Sequence, residues 1–338
     1  LSMLSEKKYD IIEVWQSLEY RVIDNDKYGI RVNCIEDVTH LKNDFNKNSR
    51  LINKIIHFWN YGEVNENIDG KVQEAEIDKG FRTFTNIVKE LITLLGKESQ
   101  IIAITSGAYN ITDLETLCPE RAMIGTLLKV IGQENPDINT KMIDFEGICS
   151  NPIIQLRQVE NEILTRSKER IIAYRYGKRL VESYRSLNVD IRAKSNLLKK
   201  GGVYIITGGL GGIGLDIGEY LGSEYSAKII LIGRSPFPER SIWDNWINEK
   251  GLSDKISKKI NIIREIEKNG GVVRVYNLDV SDSAKLEIVF NESQKEFGIV
   301  NGVFHFAGET NPDNFVPVAN LTEEVIRMQF NPKIYGLI

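Results

Sequence analysis

Five glycines within the seven residues 208–214 constrain the fold of this chain more than any other feature of its sequence. The run GGLGGIG follows the apolar segment VYIIT and precedes the amphipathic segment LDIGEYL. Glycines at such a junction permit a tight turn, close helix–strand packing and close approach of a ligand to the backbone. The spacing Gly209-x-Gly211-x-x-Gly214 between a strand and a helix therefore predicts a dinucleotide-binding site. The alternative is a turn whose glycines serve only tight packing.

The second half of the chain alternates apolar and amphipathic segments. Strands are predicted at GVYIITGG, AKIILIGRS, GVVRVYNLDV and VNGVFHFAGE, and helices over residues 214–222, 253–269 and 283–297. Such alternation is typical of a parallel sheet with helices on its faces. We therefore expect a Rossmann-like subdomain over residues 201–338.

The first half shows the same alternation without a glycine run. Strands are predicted at KIIHFWNY, QIIAITSGAY and TKMIDFEG, with helices over residues 77–96, closed by Gly96, and over 119–136. We expect a second Rossmann-like subdomain over residues 1–150, whose first ten residues read as a linker. Residues 151–200 are predicted to hold a charged amphipathic helix (152–167), a hairpin around Gly177 and a polar connector, RAKSNLLKKGG. The predicted fold class is α/β, with two Rossmann-like subdomains of parallel sheets and flanking helices.

The composition excludes several classes of protein. The 338 residues are 42% hydrophobic and suffice for two domains with cores of their own. A net charge of −4, with basic residues interleaved among acidic ones, argues against nucleic acid as a partner. The three histidines and Cys34, Cys118 and Cys149 are scattered, so we expect no metal site, no disulfide framework and a cytoplasmic location. No apolar run approaches about 18 residues, so no membrane span is expected.

The residues that follow the second strand indicate which dinucleotide binds. Sites for NAD commonly carry an acidic residue about 20 residues past the glycines, where it bonds the ribose 2′-hydroxyl. Here LIGRSP places Arg234 and Ser235 at that point. Because arginine favours a 2′-phosphate through charge-assisted hydrogen bonds, the predicted cofactor is NADPH. The alternative for Arg234 is a solvated loop charge.

The next two strand ends add further candidates for cofactor binding. Asp279 and Val280, in NLDVSD, are predicted to bracket an adenine; the alternative is that Asp279 starts the next loop or caps its helix. Ala307 and Gly308, in HFAG, have no bulk that would obstruct a cofactor lying along the sheet edge. His305 is interpreted as a packed strand residue rather than a catalyst.

These motifs carry a resemblance to a known family. The segment TGGLGGIG matches the TGxxxGxG fingerprint of short-chain dehydrogenases/reductases, and with LIGRSP, DVSD, HFAG and NPKIYG the chain resembles the ketoreductase domain of modular polyketide synthases. The first half resembles the structural subdomain of that family, a degenerate Rossmann unit without a cofactor loop. The long insert after Arg234 is similar to synthases that recruit their acyltransferase in trans. The cofactor contacts assigned are Thr207, Gly208, Gly209, Leu210, Gly211, Gly212, Ile213, Gly214, Arg234, Ser235, Asp279, Val280, Ala307 and Gly308.

The resemblance implies a reaction and a set of partners. A β-ketoacyl group on the phosphopantetheine of an acyl carrier protein would be reduced with NADPH, beside neighbouring synthase domains. In the family, tyrosine protonates the developing alkoxide, serine polarises the ketone and lysine supports the acidity of the tyrosine, with an asparagine as the fourth catalytic group. Lys333 in NPKIYG matches the family's lysine, and as a lone residue it could equally be a surface lysine.

The sequence departs from the family's pattern near its C-terminus. Neither the strand that carries the serine nor the YxxxN helix is found, and Tyr335 has no asparagine four residues on. We therefore expect the chain to be part of a longer polypeptide, with a split or degenerate module as the alternative. A non-catalytic scaffold module and a free-standing dehydrogenase are the competing functions. Asp313, in GETNPDNF, is compared with the aspartate that marks one alcohol configuration, or is a turn residue.

Overall fold

The computed structural model describes residues 9–64, 70–149, 151–165, 167–188 and 197–337. The chain divides into two compact units, Leu1–Ser186 with Pro317–Asn320, and Leu187–Val316 with Leu321–Ile338. Most of the predicted N-terminal linker and the first half of the predicted polar connector lie outside the described residues.

The first unit opens with a small sheet that the sequence analysis did not predict. Its strands are β1 (Glu13–Gln16), β2 (Arg21–Asp24) and β3 (Lys27–Ile30), in the order β1-β3-β2. Helix α1 (Ile35–Lys47) follows and packs its apolar side on this sheet, with Val38, Leu41 and Phe45 buried. Each of these strands has only four residues, and one of them is exposed. Their alternation of apolar and polar residues is therefore too short to be recognised from sequence.

The main sheet of the first unit has five strands in the order β4-β5-β6-β7-β8. Four of them run parallel, and the last pairs antiparallel with its neighbour. The last two form the predicted hairpin, where Gly177 adopts the left-handed φ of +73°. The bounds are β4 (Ile52–Asn60), β5 (Leu95–Ser106), β6 (Asn139–Phe145), β7 (Ile171–Arg175) and β8 (Lys178–Val181).

The helices of the first unit confirm most of the predicted elements and correct one. They are α2 (Gly70–Ile77), α3 (Thr83–Leu91), α4 (Pro119–Glu134) and α5 (Pro152–Leu164). The prediction that Gly96 closes a helix over residues 77–96 was wrong. Helical structure begins at Gly70 and passes through a π-helical turn, and it ends at Leu94. Gly96 lies in β5, because Leu95 already pairs with Ile52 of β4.

The carboxyl ends of β5 and β6 are closed by a buried ionic network. Arg175 is 1% exposed, and its guanidinium donates to Asp144 Oδ2 at 2.7 Å and to Glu115 Oε1 at 2.8 Å. Burial alone would raise the pKa of Glu115, but hydrogen bonds from Arg175 and the Thr112 N–H outweigh it and lower the pKa to about 2. Side chains of the protein thus fill the strand ends of this sheet.

A buried histidine makes the stability of the first unit dependent on pH. His57 on β4 lies 4.8 Å from the ring of Phe84, and its Nε2 lies 3.2 Å from Asn60 Oδ1. Desolvation lowers its pKa to about 4; the hydrogen bond with Asn60 acts against this shift, and the charge of Lys79 adds to it. Because the unfolded chain binds a proton near pH 6.5 and the folded chain does not, stability is complete above that pH and is lost as pH falls towards 4.

We expect the free energy of unfolding of the first unit to fall by about 2 kcal/mol between pH 7 and pH 5 through His57. Urea titrations followed by the fluorescence of Trp59, whose ring centroid lies 5.9 Å from that of His57, measure this change. His57→Gln is the control, because it keeps a polar side chain without the titration. An equal fall in the variant would contradict the assignment.

The second unit is a four-stranded parallel sheet in the order β11-β10-β9-β12. The chain winds outward from β9 through β10 to β11 and then crosses to the other side of β9. This change of direction is the point at which open α/β sheets bind ligands, outside the carboxyl ends of the strands. The elements are β9 (Val203–Thr207), α6 (Gly212–Tyr225), β10 (Lys228–Gly233), α7 (Trp243–Lys250), α8 (Lys255–Lys268), β11 (Val272–Asn277), α9 (Ser283–Phe297), β12 (Val300–His305) and α10 (Glu323–Phe330).

The core of the second unit explains why its strands were predictable. Residues 203–206 and 229–232 are buried on both faces of the sheet, as the continuous apolar runs in the sequence indicate. One face packs on α6 and α8, where Ile260, Ile263 and Ile266 are fully buried. The predicted helix at 214–222 extends over Gly212–Tyr225, and the insert after Arg234 adds α7, whose Trp243 joins this core.

Candidate functional site

The glycine turn lies at the end of β9, the strand next to the change of direction. Gly208 has φ of +65°, and a Cβ there would lie 2.7 Å from the carbonyl of Phe306. The Gly209 N–H donates to Ile232 O at 3.1 Å, and the Gly211 N–H donates to Gly208 O at 2.9 Å. Backbone conformation and space both require glycine at position 208.

Two further glycines are required by packing within the protein. A Cβ on Gly214 would lie 2.6 Å from the carbonyl oxygen of Gly208, and one on Gly209 would lie 2.6 Å from that of Ile206. A Cβ on Gly211 would be 3.1 Å from Gly208 O. The first turn of α6 therefore sits directly on the turn that precedes it. Leu210 points into the core between them and is buried.

Gly212 differs, because among the described residues no atom outside its chain neighbours and the backbone of α6 lies within 4 Å of the position its Cβ would take. Gly212 begins α6, and the neighbouring Ile213 is 65% exposed. The first N–H groups of a helix have no partner within the helix, and its N-terminus carries a partial positive charge. No acidic residue lies in the first turn of α6. The packing of the protein does not explain why this position is a glycine. An open glycine at the start of a helix does fit the close approach of an anionic group of a cofactor.

Arg234 and Ser235 follow β10 directly, and both are exposed. The Arg234 guanidinium lies 3.3 Å from Glu309 Oε2, and the Arg234 carbonyl accepts from Asn277 Nδ2 at 3.1 Å. The exposure of the guanidinium and its position at the strand ends fit the contact to a 2′-phosphate that the sequence predicts.

Asp279 and Val280 lie just past β11 and differ in which of their atoms a cofactor could contact. Asp279 Oδ1 accepts from the N–H and the hydroxyl of Ser281 at 2.9 and 2.7 Å, whereas Asp282 caps α9. Burial alone would raise the pKa of Asp279, but these hydrogen bonds and the nearby charge of Arg234 lower it. Val280 is buried, with Gly336 against its side chain. A cofactor contact at Val280 would therefore involve its backbone.

His305, on β12, connects the end of β9 to the segment that carries Lys333. Its Nδ1 lies 2.9 Å from the hydroxyl of Thr207, and its Nε2 lies 2.8 Å from the carbonyl oxygen of Pro332. Because a carbonyl can only accept, Nε2 carries the proton and Nδ1 accepts from Thr207. The Thr207 hydroxyl in turn accepts from the Ala307 N–H at 3.4 Å. His305 is thus a packed strand residue that positions the turn before Lys333.

Lys333 lies in a π-helical turn, Asn331–Tyr335, that follows α10. Its side chain is exposed, and its Nζ lies 3.5 Å from the position that a Cβ on Gly308 would take. The absence of a side chain at Gly308 therefore leaves room for the lysine. Asp313 lies elsewhere, exposed in the short 3-10 helix Pro312–Asn314, where Asn311 accepts from its N–H.

The structure brings most of the predicted cofactor residues to the carboxyl ends of the strands in the second sheet. It places the side chains of Leu210 and Val280 in the core. Sequence reasoning missed Glu309, the partner of Arg234, although an acidic residue directly after HFAG was a visible signal.

Two kinds of feature are absent from the described ranges. Among the residues that the structure describes, no cluster of His, Cys, Asp and Glu side chains is suited to a metal ion. Within the same part of the chain, no helix has the length and apolar character needed to cross a membrane.

Comparison with known protein families finds two matches along the chain. The family model for the KR domain matches residues 202–338, and a model described as beta-ketoacyl synthase-like, N-terminal, matches residues 1–162. The two matches together account for most of both units.

Curated proteins with similar sequences are much longer than this chain. A phenolphthiocerol/phthiocerol polyketide synthase protein of Mycobacterium tuberculosis (strain CDC 1551 / Oshkosh) is 25% identical over 227 residues, which cover 67% of this chain and 11% of that protein. The 6-methylsalicylic acid synthase of Penicillium expansum is 28% identical over 286 residues, which cover 82% of this chain and 15% of that protein. The chain therefore spans less than a fifth of the length of either relative.

Solved structures show the same fold. A multidomain structure with adenylation, ketoreductase and pseudo Asub domains from a keto acid-selecting NRPS module matches with a TM-score of 0.81 and 21% identity, over 96% of this chain and 26% of that one. An N-terminal ketoreductase from the macrolactin assembly line matches with a TM-score of 0.75 and 20% identity, over 99% of this chain and 62% of that one. At these identities the likeness establishes the fold, and the matches cover the residues of both units.

Proposed function

This chain belongs to the ketoreductase domains of polyketide synthases and carries the structural N-terminal subdomain of that family, and from this premise we propose that it serves the NADPH-dependent reduction of a β-ketoacyl thioester. The substrate would be held on the phosphopantetheine of an acyl carrier protein, and neighbouring synthase domains would be further partners. We also propose a cytoplasmic location, in keeping with the free thiols of Cys34, Cys118 and Cys149.

Two neighbouring features carry this proposal: a glycine with free space beside it at the start of a helix, and a basic side chain at the end of the adjacent strand. Gly212 leaves space beside the N-terminus of α6, which would take the pyrophosphate. Arg234 follows the adjacent strand and would take the 2′-phosphate. NADPH, when bound, supplies the hydride.

The residues of this chain would act through binding and positioning. Gly208 and Gly214 permit the tight turn that brings the start of α6 to the strand ends. Ala307 and Gly308 would keep the end of β12 free of bulk beside the cofactor. Lys333 beside Gly308 would supply a positive charge that favours proton donation to the developing alkoxide. Thr207 and His305 fix the turn that carries this lysine. The insert after Arg234 supports a synthase that recruits its acyltransferase in trans, which we include in the proposal.

The test uses the protein as its own gene encodes it, with NADPH and a β-ketoacyl N-acetylcysteamine thioester. We expect absorbance at 340 nm to fall as the β-hydroxyacyl thioester forms. Lys333→Met is expected to keep its affinity for NADPH and to lose about 10²- to 10⁴-fold in kcat, the range for a proton-transfer group. Lys295→Met is the matched control, because Lys295 is exposed on α9.

The outcomes separate the candidate functions. Tight NADPH binding without consumption of the thioester would favour the scaffold module, and absence of NADPH binding would contradict the cofactor site itself. Reduction of small free ketones in preference to thioesters would favour the free-standing dehydrogenase.

A further inference from the structure

The ion pair between Arg234 and Glu309 spans the region where the proposed cofactor would lie. Arg234 directly follows β10, and Glu309 follows the HFAG segment after β12. The sheet order β10-β9-β12 places these two strands on either side of β9. Neighbouring strands are about 4.8 Å apart, so the two side chains reach towards each other across the width of the strand between them. The glycine turn leaves the sheet from the end of that same strand.

The two partners of this ion pair are held very differently. Glu309 is 11% exposed, and its Oε1 accepts from the N–H groups of Thr310 and Asn311 at 3.0 and 2.8 Å. These hydrogen bonds, together with the pairing to Arg234, lower the pKa of Glu309, although burial alone would raise it. The Arg234 side chain is 49% exposed. The carboxylate is therefore anchored in its own loop, whereas the guanidinium can move.

Glu309 uses its two oxygens for separate purposes. Oε1 is engaged by the loop, and Oε2 lies 3.3 Å from Arg234 Nη2. A carboxylate fixed in this way occupies one side of the guanidinium before any ligand arrives. An incoming phosphate would have to replace it or bind beside it, and two anions at such a distance repel each other.

We propose that Glu309 competes with the 2′-phosphate of the dinucleotide for Arg234 and so limits the preference of this site for NADPH over NADH. The inference rests on the proposed function, because it concerns the same cofactor site. NADPH carries the 2′-phosphate and meets both the occupied guanidinium and the negative charge of Glu309. NADH carries a 2′-hydroxyl at that position, which neither requires Arg234 nor is repelled by a carboxylate. Glu309 thus weakens the binding of one dinucleotide selectively.

The decisive variant is Glu309→Gln, because the glutamine oxygen can still accept from Thr310 and Asn311 while the charge is removed. We expect the Kd of NADPH to fall about three- to tenfold, which is the effect of removing a competing carboxylate from a partly exposed ion pair. The Kd of NADH is expected to change less than about twofold. Titration calorimetry with NADPH, NADH and 2′,5′-ADP measures these affinities without turnover. Glu296→Gln, which removes a carboxylate on α9 that pairs with Arg274 of β11 rather than with Arg234, controls for net charge.

A second variant keeps the test decisive if the first alters the loop. In an Arg234→Ala background, the gain in NADPH affinity caused by Glu309→Gln is expected to be smaller than in the natural protein, because the competition for Arg234 is gone and only the repulsion between carboxylate and phosphate remains. An unchanged ratio of NADPH to NADH affinity in Glu309→Gln, or weaker NADPH binding, would overturn the inference while the proposed function stands. Failure of the natural protein to bind NADPH would overturn the proposed function and this inference together.

Discussion

Arg175→Met is expected to lower the free energy of unfolding of the first unit by about 3–5 kcal/mol, the usual cost of removing one partner from a buried ion pair. The side chain of Arg175 is 1% exposed, and those of Asp144 and Glu115 are fully buried. Methionine fills much of the same volume but leaves both carboxylates without their cation. A loss of this size is a large fraction of the stability of an ordinary domain.

The cost is large because Arg175 also satisfies backbone groups. Its guanidinium donates to the carbonyl oxygens of Asp144 at 3.1 Å and Tyr109 at 2.9 Å, in addition to the two carboxylates. Glu115 and Tyr109 lie in the connection between β5 and α4, so the loss would release that connection as well. Buried acceptors without a donor each add to the destabilisation.

Chemical denaturation followed by far-UV circular dichroism and Trp59 fluorescence measures the effect. Arg157→Met is the matched control, because Arg157 is exposed on α5 and the same substitution there is expected to change the free energy of unfolding by less than about 0.5 kcal/mol. A loss below about 1 kcal/mol in Arg175→Met would contradict a structural role for the network.

The second large effect is expected at the glycine turn. Gly212→Asp should fold normally and lose NADPH affinity by about 100-fold or more, because the new carboxylate would stand where the pyrophosphate is proposed to bind. Normal folding is expected since, in the described part of the chain, only the chain neighbours and the backbone of α6 lie near the added Cβ, and aspartate is favourable near a helix N-terminus. NADPH fluorescence titration gives the affinity, and thermal unfolding checks the fold.

Two companion variants separate charge from packing. Gly147→Asp adds the same charge at another open glycine, in the first unit, and should leave NADPH binding unchanged. Gly214→Ala adds only a methyl group, but its Cβ would lie 2.6 Å from a backbone oxygen, so it should lower thermal stability. Normal NADPH binding by Gly212→Asp would show that the cofactor does not use the start of α6.

The sequence predicted the elements whose apolar pattern is complete. Strand β9 and strand β10 are buried on both faces, so their residues form unbroken apolar runs that are easy to recognise. Strand β2 is exposed along its whole length, and its pattern resembles that of a loop. Gly96 was predicted to end a helix because glycine commonly does so, but the pairing of Leu95 with β4 decides the boundary here.

The glycine turn was predictable from sequence, but the separate roles of its glycines were not. Spacing alone treats Gly212 and Gly214 alike, and only the packed backbone shows that one is open and the other enclosed. Glu309 escaped notice for a similar reason. It lies 75 residues from Arg234, and their pairing depends on the order of strands in the sheet.

The four residues Pro317–Asn320 belong to the first unit, although the chain on both sides belongs to the second. Val318 is buried there, and its N–H donates to the carboxylate of Glu134 at the end of α4 at 3.0 Å. The first unit is therefore assembled from two separate pieces of the chain. Chimeras that exchange whole units between related synthases consequently need junctions at 186/187, 316/317 and 320/321. A single crossover at 186/187 would leave the first unit of each product with residues 317–320 from the other parent.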